Sequence, residues 1–387
     1  MPNPSGALDA SERELVVALG LLRIGADTRG PRLFRTMVSA PWTPVRASSI
    51  EPPAPTPPAA GHLEELAGLI GLSGSRKGDA VAAARQRAKE ALETAARRNL
   101  TLLSYSDTSY PPLLWHIPDP PIALWVQGDP GVLSEPSVAI VGSRDATPVG
   151  LAVARKIGRQ VAEAGLTVVS GMARGIDAAA HLGALDGGGR TVAVLGCGAD
   201  VVYPSGHRAL AASVAAAGAI VSELAPGTPP LPHHFPLRNR IISGLSKGVV
   251  VVEATEHSGS LITARAALEQ GRDVLAVPGG IASGNHRGCH GLIKEGARLV
   301  ESVEDILEQV GWSRPGHRAA QAAEGVGDKS LCYNDLSIQM AAGEPYALDD
   351  LVERTGRTVP EILAELADLE VAGKVTRMAG GGFVRLD

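Results

Sequence analysis

The chain has little cysteine: Cys197, Cys289 and Cys332 are the three in 387 residues, odd in number and far apart. That excludes a disulfide framework and points to a reducing compartment. Aromatic residues make up 3% of the sequence, while alanine, glycine, valine and leucine abound. Such a balance suits tightly packed α/β layers better than a sandwich. No apolar run reaches the roughly 18 residues that a membrane span needs, so no membrane partner is expected. The segment Met1–Glu14 lacks a basic start followed by an apolar stretch, so no secretory signal is expected and the chain reads as cytoplasmic. Positive charge is not in excess either, the net being -5. This absence excludes little, because nucleic-acid binding needs a local cationic patch and not a basic average.

What is present falls into segments, and the length favours two or three domains. Residues 8–38 carry helical spacing, with Leu15, Ala18, Leu19 and Leu22 near a helical period and a turn-like break at Gly25–Pro31. A proline-rich run, Pro41–Pro58, cannot form a core. Helical pattern resumes over His62–Arg98, interrupted at the glycine- and charge-rich Ser73–Asp79. From Ser137, apolar runs at 138–142, 166–171, 191–196, 219–223, 248–254 and 273–279 alternate with helical stretches at Pro148–Ala164, Ile176–Leu185, Ser205–Ala217 and Ser260–Gln270. Strands this apolar on both faces belong in a parallel sheet covered by helices. After the polar stretch Trp312–Lys329, helical patterns at Asp349–Thr355 and Pro360–Ala372 precede two short strands around Gly380–Gly382. That order suits a winged helix, with a small α+β cap as the alternative.

The expected fold is therefore α/β, an extended Rossmann-like, doubly wound, mostly parallel sheet over residues 106–311. An all-α N-terminal domain is expected over 1–105, with its proline-rich linker at 40–60. A linker at 312–329 leads to a small winged-helix-like domain over 330–387.

Candidate binding residues cluster at strand ends. Gly142-Ser143-Arg144 follows the first core strand and precedes a helix starting at Pro148. Backbone amides at such a helix start suit phosphate, and Arg144 adds a planar cationic fork. If the glycine served turn geometry alone, Ser143 and Arg144 would be arbitrary. Arg174 follows the second strand and shares the same carboxyl edge, where open α/β sheets bind ligands. Asp177 and His181 lie on one face of the next helix and read as a hydrogen-bonded structural pair, since no nucleophile accompanies them. Phe235, Arg238, Asn239 and Arg240 open a further helix. An aromatic ring among arginines suits a stacked base and its phosphates. The alternative is a core-filling phenylalanine with acid-paired arginines. Ser258-Gly259-Ser260 begins another helix, where hydroxyls cap and can hold phosphate.

Other chemistries lack their residues. The G-x-G-x-x-G spacing is absent, Gly142 being matched next at Gly150, and no acid ends the second strand, so no dinucleotide cofactor is expected. Glu223 and Glu253, single acids without a nucleophile, read as partners of the arginines. His233-His234 and His286–His290 fit no closed zinc shell, so no metal is expected.

Taken together these stretches resemble the DprA/Smf (DNA processing protein A) family. The resemblance is carried by Ile140–Arg144, Ser170–Asp177, Ala193–Gly198 with Tyr203-Pro204, Phe235–Ser246, Val251–Thr263 and Val274–Gly279, and upstream by Tyr110-Pro111 and Pro118–Pro121. It implies a non-catalytic protein that binds single-stranded DNA, forms a homodimer and helps load the RecA recombinase in natural transformation. It further implies that Arg144 and Phe235 contact DNA. Ser205 and Pro232 stand where the resemblance leads one to expect lysines, and His290 where it leads one to expect asparagine. That leaves Arg144, Arg174, Arg208, Arg238 and Arg240 to supply the groove's charge. The alternative is a nucleotide hydrolase of the LOG/lysine-decarboxylase-like group. After Pro278-Gly279-Gly280, however, the chain lacks that group's threonine and glutamate.

Overall fold

A buried stripe of Leu15, Leu19 and Leu22 packs α1 (Ala10–Ile24) with α2 (His62–Leu69) and α3 (Gly74–Arg97). The computed structural model describes residues 9–24, 61–69, 71–313, 340, 345–355, 358–371, 375–377 and 382–385. The expected break at Gly25–Pro31, the run Pro41–Pro58 and all of the 312–329 linker after residue 313 lie outside the described residues. Ser73–Asp79 is not an interruption. Ser73 is the N-cap and Gly74–Asp79 form the first turns of α3, carried by the alanine-rich sequence that follows.

The chain then alternates: β1 (Thr101–Ser104), the single turn α4 (Pro112–Trp115), β2 (Ala123–Gly128), β3 (Ser137–Val141), α5 (Pro148–Glu163), β4 (Thr167–Ser170) and α6 (Ile176–Asp186). It continues through β5 (Thr191–Val194), α7 (Arg208–Ala217), β6 (Ala219–Ser222), α8 (His234–Leu245), β7 (Gly248–Val251) and α9 (Ser260–Glu269). The unit closes with β8 (Asp273–Ala276), α10 (Arg287–Lys294), β9 (Arg298–Leu299) and α11 (Val303–Gln309). The strands form one nine-stranded sheet in the order β1-β2-β6-β5-β4-β3-β7-β8-β9. Pairing is parallel from β6 to β9 and antiparallel where β1 and β2 join that edge.

Both faces of this sheet are buried, as the apolar runs require. Val138 and Ile140 of β3 enter one core with α5, α6 and α11, while Ala139 and Val141 enter the other. That second core also takes Leu15, Leu19, Leu63, Leu66, Leu124 and Trp125. Contacts accordingly divide the chain into Met1–Pro315 and Gly316–Asp387, without a break at the expected 105/106 boundary. The reason is burial. The three described helices before Thr101 bury their apolar stripes in the sheet's core. β1, β2 and β9 were not anticipated from the apolar runs that begin at Ser137.

In the second unit β10 (Pro345–Tyr346), α12 (Leu348–Thr355), α13 (Val359–Val371), β11 (Val375–Arg377) and β12 (Phe383–Arg385) surround a small core of Met340, Tyr346, Leu351, Ile362, Leu366, Val375 and Phe383. Its strands pair in the order β10-β12-β11, the helix-helix-strand-strand arrangement expected plus one more strand. Among the described residues no helix is long and apolar enough to cross a membrane.

α5 and α6 approach closely because Gly158 has no side chain. A Cβ there would lie 2.5 Å from the Ala180 carbonyl oxygen. Gly158→Val should therefore cost about 1–3 kcal/mol in denaturant unfolding. An unchanged midpoint would refute the close packing.

Asp177 and His181 are both buried on α6 but do not pair with each other. The Asp177 carboxylate accepts from the Gly171 and Ala173 amides, 3.1 and 3.3 Å away. His181 Nδ1 lies 2.7 Å from Thr191 Oγ1, whose own proton goes to the Val168 carbonyl. The imidazole is thus the Nδ1–H donor. Burial pushes His181 down to about 3, with help from Arg238 and His207. The unfolded chain binds the extra proton, so this contribution is complete above about pH 6.5 and is lost as pH falls toward 3. In urea titrations from pH 6.5 to 4, His181→Gln should flatten the decline in stability by up to about 1.4 kcal/mol per pH unit. An unaltered slope would contradict the buried neutral ring.

Candidate nucleic-acid interface

The strand order reverses at β3, which pairs with β4 on one side and β7 on the other. A crevice opens at the carboxyl ends of these strands, where open α/β sheets take their ligands. Its volume is about 540 Å³. Gly142 must be glycine here, since a Cβ would meet Ile176 Cγ1 at 2.6 Å and the Glu253 carbonyl oxygen at 2.8 Å. The Ser143 amide donates to that same carbonyl at 2.7 Å, which joins the β3 turn to the end of β7.

The start of α5 does not offer the phosphate cradle expected of it. The Glu253 side chain, 1% exposed, already occupies that end. It accepts from the Thr147 amide at 3.1 Å and the Thr147 hydroxyl at 2.6 Å. Thr147 Oγ1 in turn accepts from the Gly150 amide at 3.0 Å, and Pro148 has no N–H to give. The helix dipole is thus answered by an internal carboxylate rather than by an external anion. Glu253 is accordingly not an arginine partner, contrary to the expectation from sequence.

The crevice brings together Gly142, Ser143, Arg144, Phe235, Arg238, Asn239, Ser258, Gly259 and Ser260, and leaves out Arg174 and Arg240. Arg144 is exposed and its guanidinium carbon lies 5.3 Å from the centre of the half-buried Phe235 ring. Tyr203, not foreseen as a site residue, adds a second ring 5.6 Å from Phe235, tilted by 43°. Its signal was the Tyr203-Pro204 dipeptide, already part of the family resemblance. Pro230, Pro232 and Pro236 form an apolar wall, and Thr255, Ile262 and Thr263 line the remainder. Ser258 and Ser260 hydrogen-bond to each other through their hydroxyls, 2.8 Å apart, at the start of α9.

The four arginines differ in what they can do. Arg238 is buried beneath the crevice, donating Nη1 to the Gly171 carbonyl at 2.7 Å and to the Val194 carbonyl. Burial pulls it down to about 10 against the attraction of Asp177. Arg240 is closed into a triad, with Nε 2.7 Å from Asp119 Oδ2 and Nη2 2.8 Å from both Glu223 oxygens. Burial lowers its pKa, but the two carboxylates outweigh burial and raise it. Glu223 thus does partner an arginine. Arg174 is exposed and loosely paired with Asp145 at 3.6 Å. Arg144 alone of the four combines exposure, a place in the lining and a ring beneath it.

His290 Nε2 lies 3.0 Å from the Gly279 carbonyl oxygen. Among the described residues no group of three or more His, Cys, Asp and Glu side chains could hold a metal ion.

The sequence matches the model of the DNA recombination-mediator protein A family over residues 101–311, and that of the DprA winged helix domain over 338–381. It is 43% identical to Protein Smf of Escherichia coli (strain K12) over 293 residues, covering 74% of this chain and 78% of that protein. It is 48% identical to the DNA processing protein DprA of Streptococcus pneumoniae over 206 residues, covering 53% and 73%. Among solved structures, DNA processing protein A from Streptococcus pneumoniae is similar with a TM-score of 0.60 and 34% identity, covering 77% of this chain and 95% of that one.

The division among arginines is testable by stability alone. Arg240→Ala removes the guanidinium that ties part-buried Asp119 and Glu223 together and should cost about 1.5–3 kcal/mol in denaturant unfolding. Arg144→Ala, at an exposed position, should stay within about 0.5 kcal/mol of the parent. Equal costs would contradict the assignment.

Proposed function

We propose, from the premise that the chain belongs to the DNA recombination-mediator protein A family, that the β3/β7 crevice binds single-stranded DNA without chemically altering it. The observation carrying this reading is the exposed Arg144 guanidinium set over Phe235, with Tyr203 beside it. A cation over one ring with a second ring beside it suits a nucleotide whose base is free to unstack, with the phosphate held by the guanidinium. Ser143, Asn239, Ser258 and Ser260 supply further hydrogen-bonding groups along the same groove. A duplex keeps its base faces covered and leaves the rings unused. Arg238 and Arg240 shape this groove from beneath and beside it; they do not meet the strand.

The finer parts of the proposal rest on family membership and the resemblance described above. The bound strand is protected and passed to a RecA-type recombinase, the working form is a homodimer, and the setting is the cytoplasm during natural transformation. No cofactor takes part. The two single acids near the strand ends are committed, Glu223 to Arg240 and Glu253 to Thr147.

Fluorescence anisotropy of labelled oligo-dT across a salt series tests the core of the proposal. Wild-type affinity should fall with salt by about 0.7 log units per neutralised phosphate for each tenfold rise. Arg144→Ala should weaken binding and lower that slope by about the same 0.7. Phe235→Ala should lose about 1–3 kcal/mol of stacking. If both variants bind as tightly as wild type, the strand does not lie in this crevice.

A further inference from the structure

α3 carries a second feature that the crevice does not use. From Gly74 to Arg98 the sequence holds seven cations against three carboxylates, in a chain of net -5. Arg76, Arg87 and Arg98 are spaced eleven residues apart. A helix of 3.6 residues per turn keeps such residues within about 20° of one line, about 16 Å apart. All three are exposed. The helix buries Val81, Ala84, Ala88, Ala91 and Ala95. On its far flank, about 160° around from Arg87, Arg85 and Lys89 reach toward Glu14 of α1 at 3.8 and 3.9 Å. The Arg76–Arg87–Arg98 line therefore lies on the flank turned away from α1.

That line ends beside Asp200, three residues before the crevice-lining Tyr203. Arg98 Nε lies 4.0 Å from Asp200 Oδ2, the other Asp200 oxygen accepting from the Gly227 amide at 2.8 Å. Three residues beyond Asp200 stands Tyr203, the ring at the rim of the crevice. Among the described residues neither Arg76 nor Arg87 pairs with a carboxylate. Arg87 Nε reaches only the Ala83 carbonyl, at 3.3 Å.

We propose that single-stranded DNA leaving the crevice past Tyr203 continues along this flank of α3, its phosphates meeting Arg98, Arg87 and Arg76 in turn. The inference rests on the crevice being the primary site, and it extends the bound length beyond what the crevice holds. Evenly spaced exposed guanidinium groups read no sequence; they add affinity only to strands long enough to reach them. Phosphates passing such a line gain charge-assisted contacts without a base-stacking demand.

The test compares labelled oligo-dT of about 6 and about 16 nucleotides, near the two ends of the usual single-fold site range. The proteins are the full chain, Arg76→Ala/Arg87→Ala, Arg85→Ala/Lys89→Ala as a variant of equal charge change on the opposite flank, and Arg144→Ala. The Arg76/Arg87 variant should bind the short strand like wild type. It should bind the long one roughly tenfold more weakly, with a salt slope lower by about 1.4, two phosphates' worth. The opposite-flank variant should lose neither, and Arg144→Ala should lose both. Undiminished long-strand binding by the Arg76/Arg87 variant overturns the inference. So does an equal loss for the opposite-flank variant, or an equal loss for short and long strands. If Arg144→Ala binds the short strand like wild type, it is instead the crevice reading that fails.

Discussion

The crevice depends on one buried carboxylate. Glu253, at the end of the strand run that begins with β7, sits on the first turn of α5 and holds the Thr147 amide and hydroxyl. A carboxylate buried to this degree is tolerated because it meets donors on one side and a positive helix end on the other. Its backbone carbonyl meanwhile receives the Ser143 amide. The two strands that flank the reversal in strand order are thereby tied to each other at the point where the ligand groove opens. With the helix end neutralised from within, the attraction for an anion moves outward to Arg144, which no buried acid restrains.

The same logic sorts the remaining charges. A guanidinium is costly to bury without acceptors, and the two beside the crevice are matched: Arg238 by two backbone carbonyls, Arg240 by Asp119 and Glu223. These pairings fix where α8 lies against β4, β5 and the segment before β2, and so set the height of Phe235 at the head of α8. Arg144, exposed and set over Phe235, is held in no such pairing. Exposure thus separates Arg144 from Arg238 and Arg240, which the chemistry of the side chains alone would not.

Much of this was legible in the sequence, for stated reasons. The apolar runs from 138 to 279 became strands that end within a few residues of the expected positions, because a strand buried on both faces has no polar alternation to confuse it. Gly142–Arg144, Phe235, Asn239 and Ser258–Ser260 converge because each follows or faces a strand's carboxyl end. What was not legible depended on distant partners. Arg240 and Asp119 are 121 residues apart, and Thr147 and Glu253 are 106 apart. No local pattern reports which face of α8 is buried or which acid will occupy the head of α5. Strands β1 and β2, which close one side of the sheet, escaped notice for a different reason. Ala123–Gly128 is apolar, but it lies beyond the proline cluster Pro118–Pro121 and pairs antiparallel, outside the alternation of strand and helix. The helices before Thr101 share their core with the sheet, a dependence that no local pattern shows.

The most direct measurement of the central claim is photo-cross-linking of a 5-iodouracil-substituted single strand to the full chain, with the modified peptide sequenced by mass spectrometry. Iodouracil couples to an aromatic ring on which it stacks. A base stacked on the rings, its phosphate at Arg144, places the cross-link on Phe235 or Tyr203. Cross-links confined to aromatic residues remote from the crevice, such as Trp312, would contradict the account.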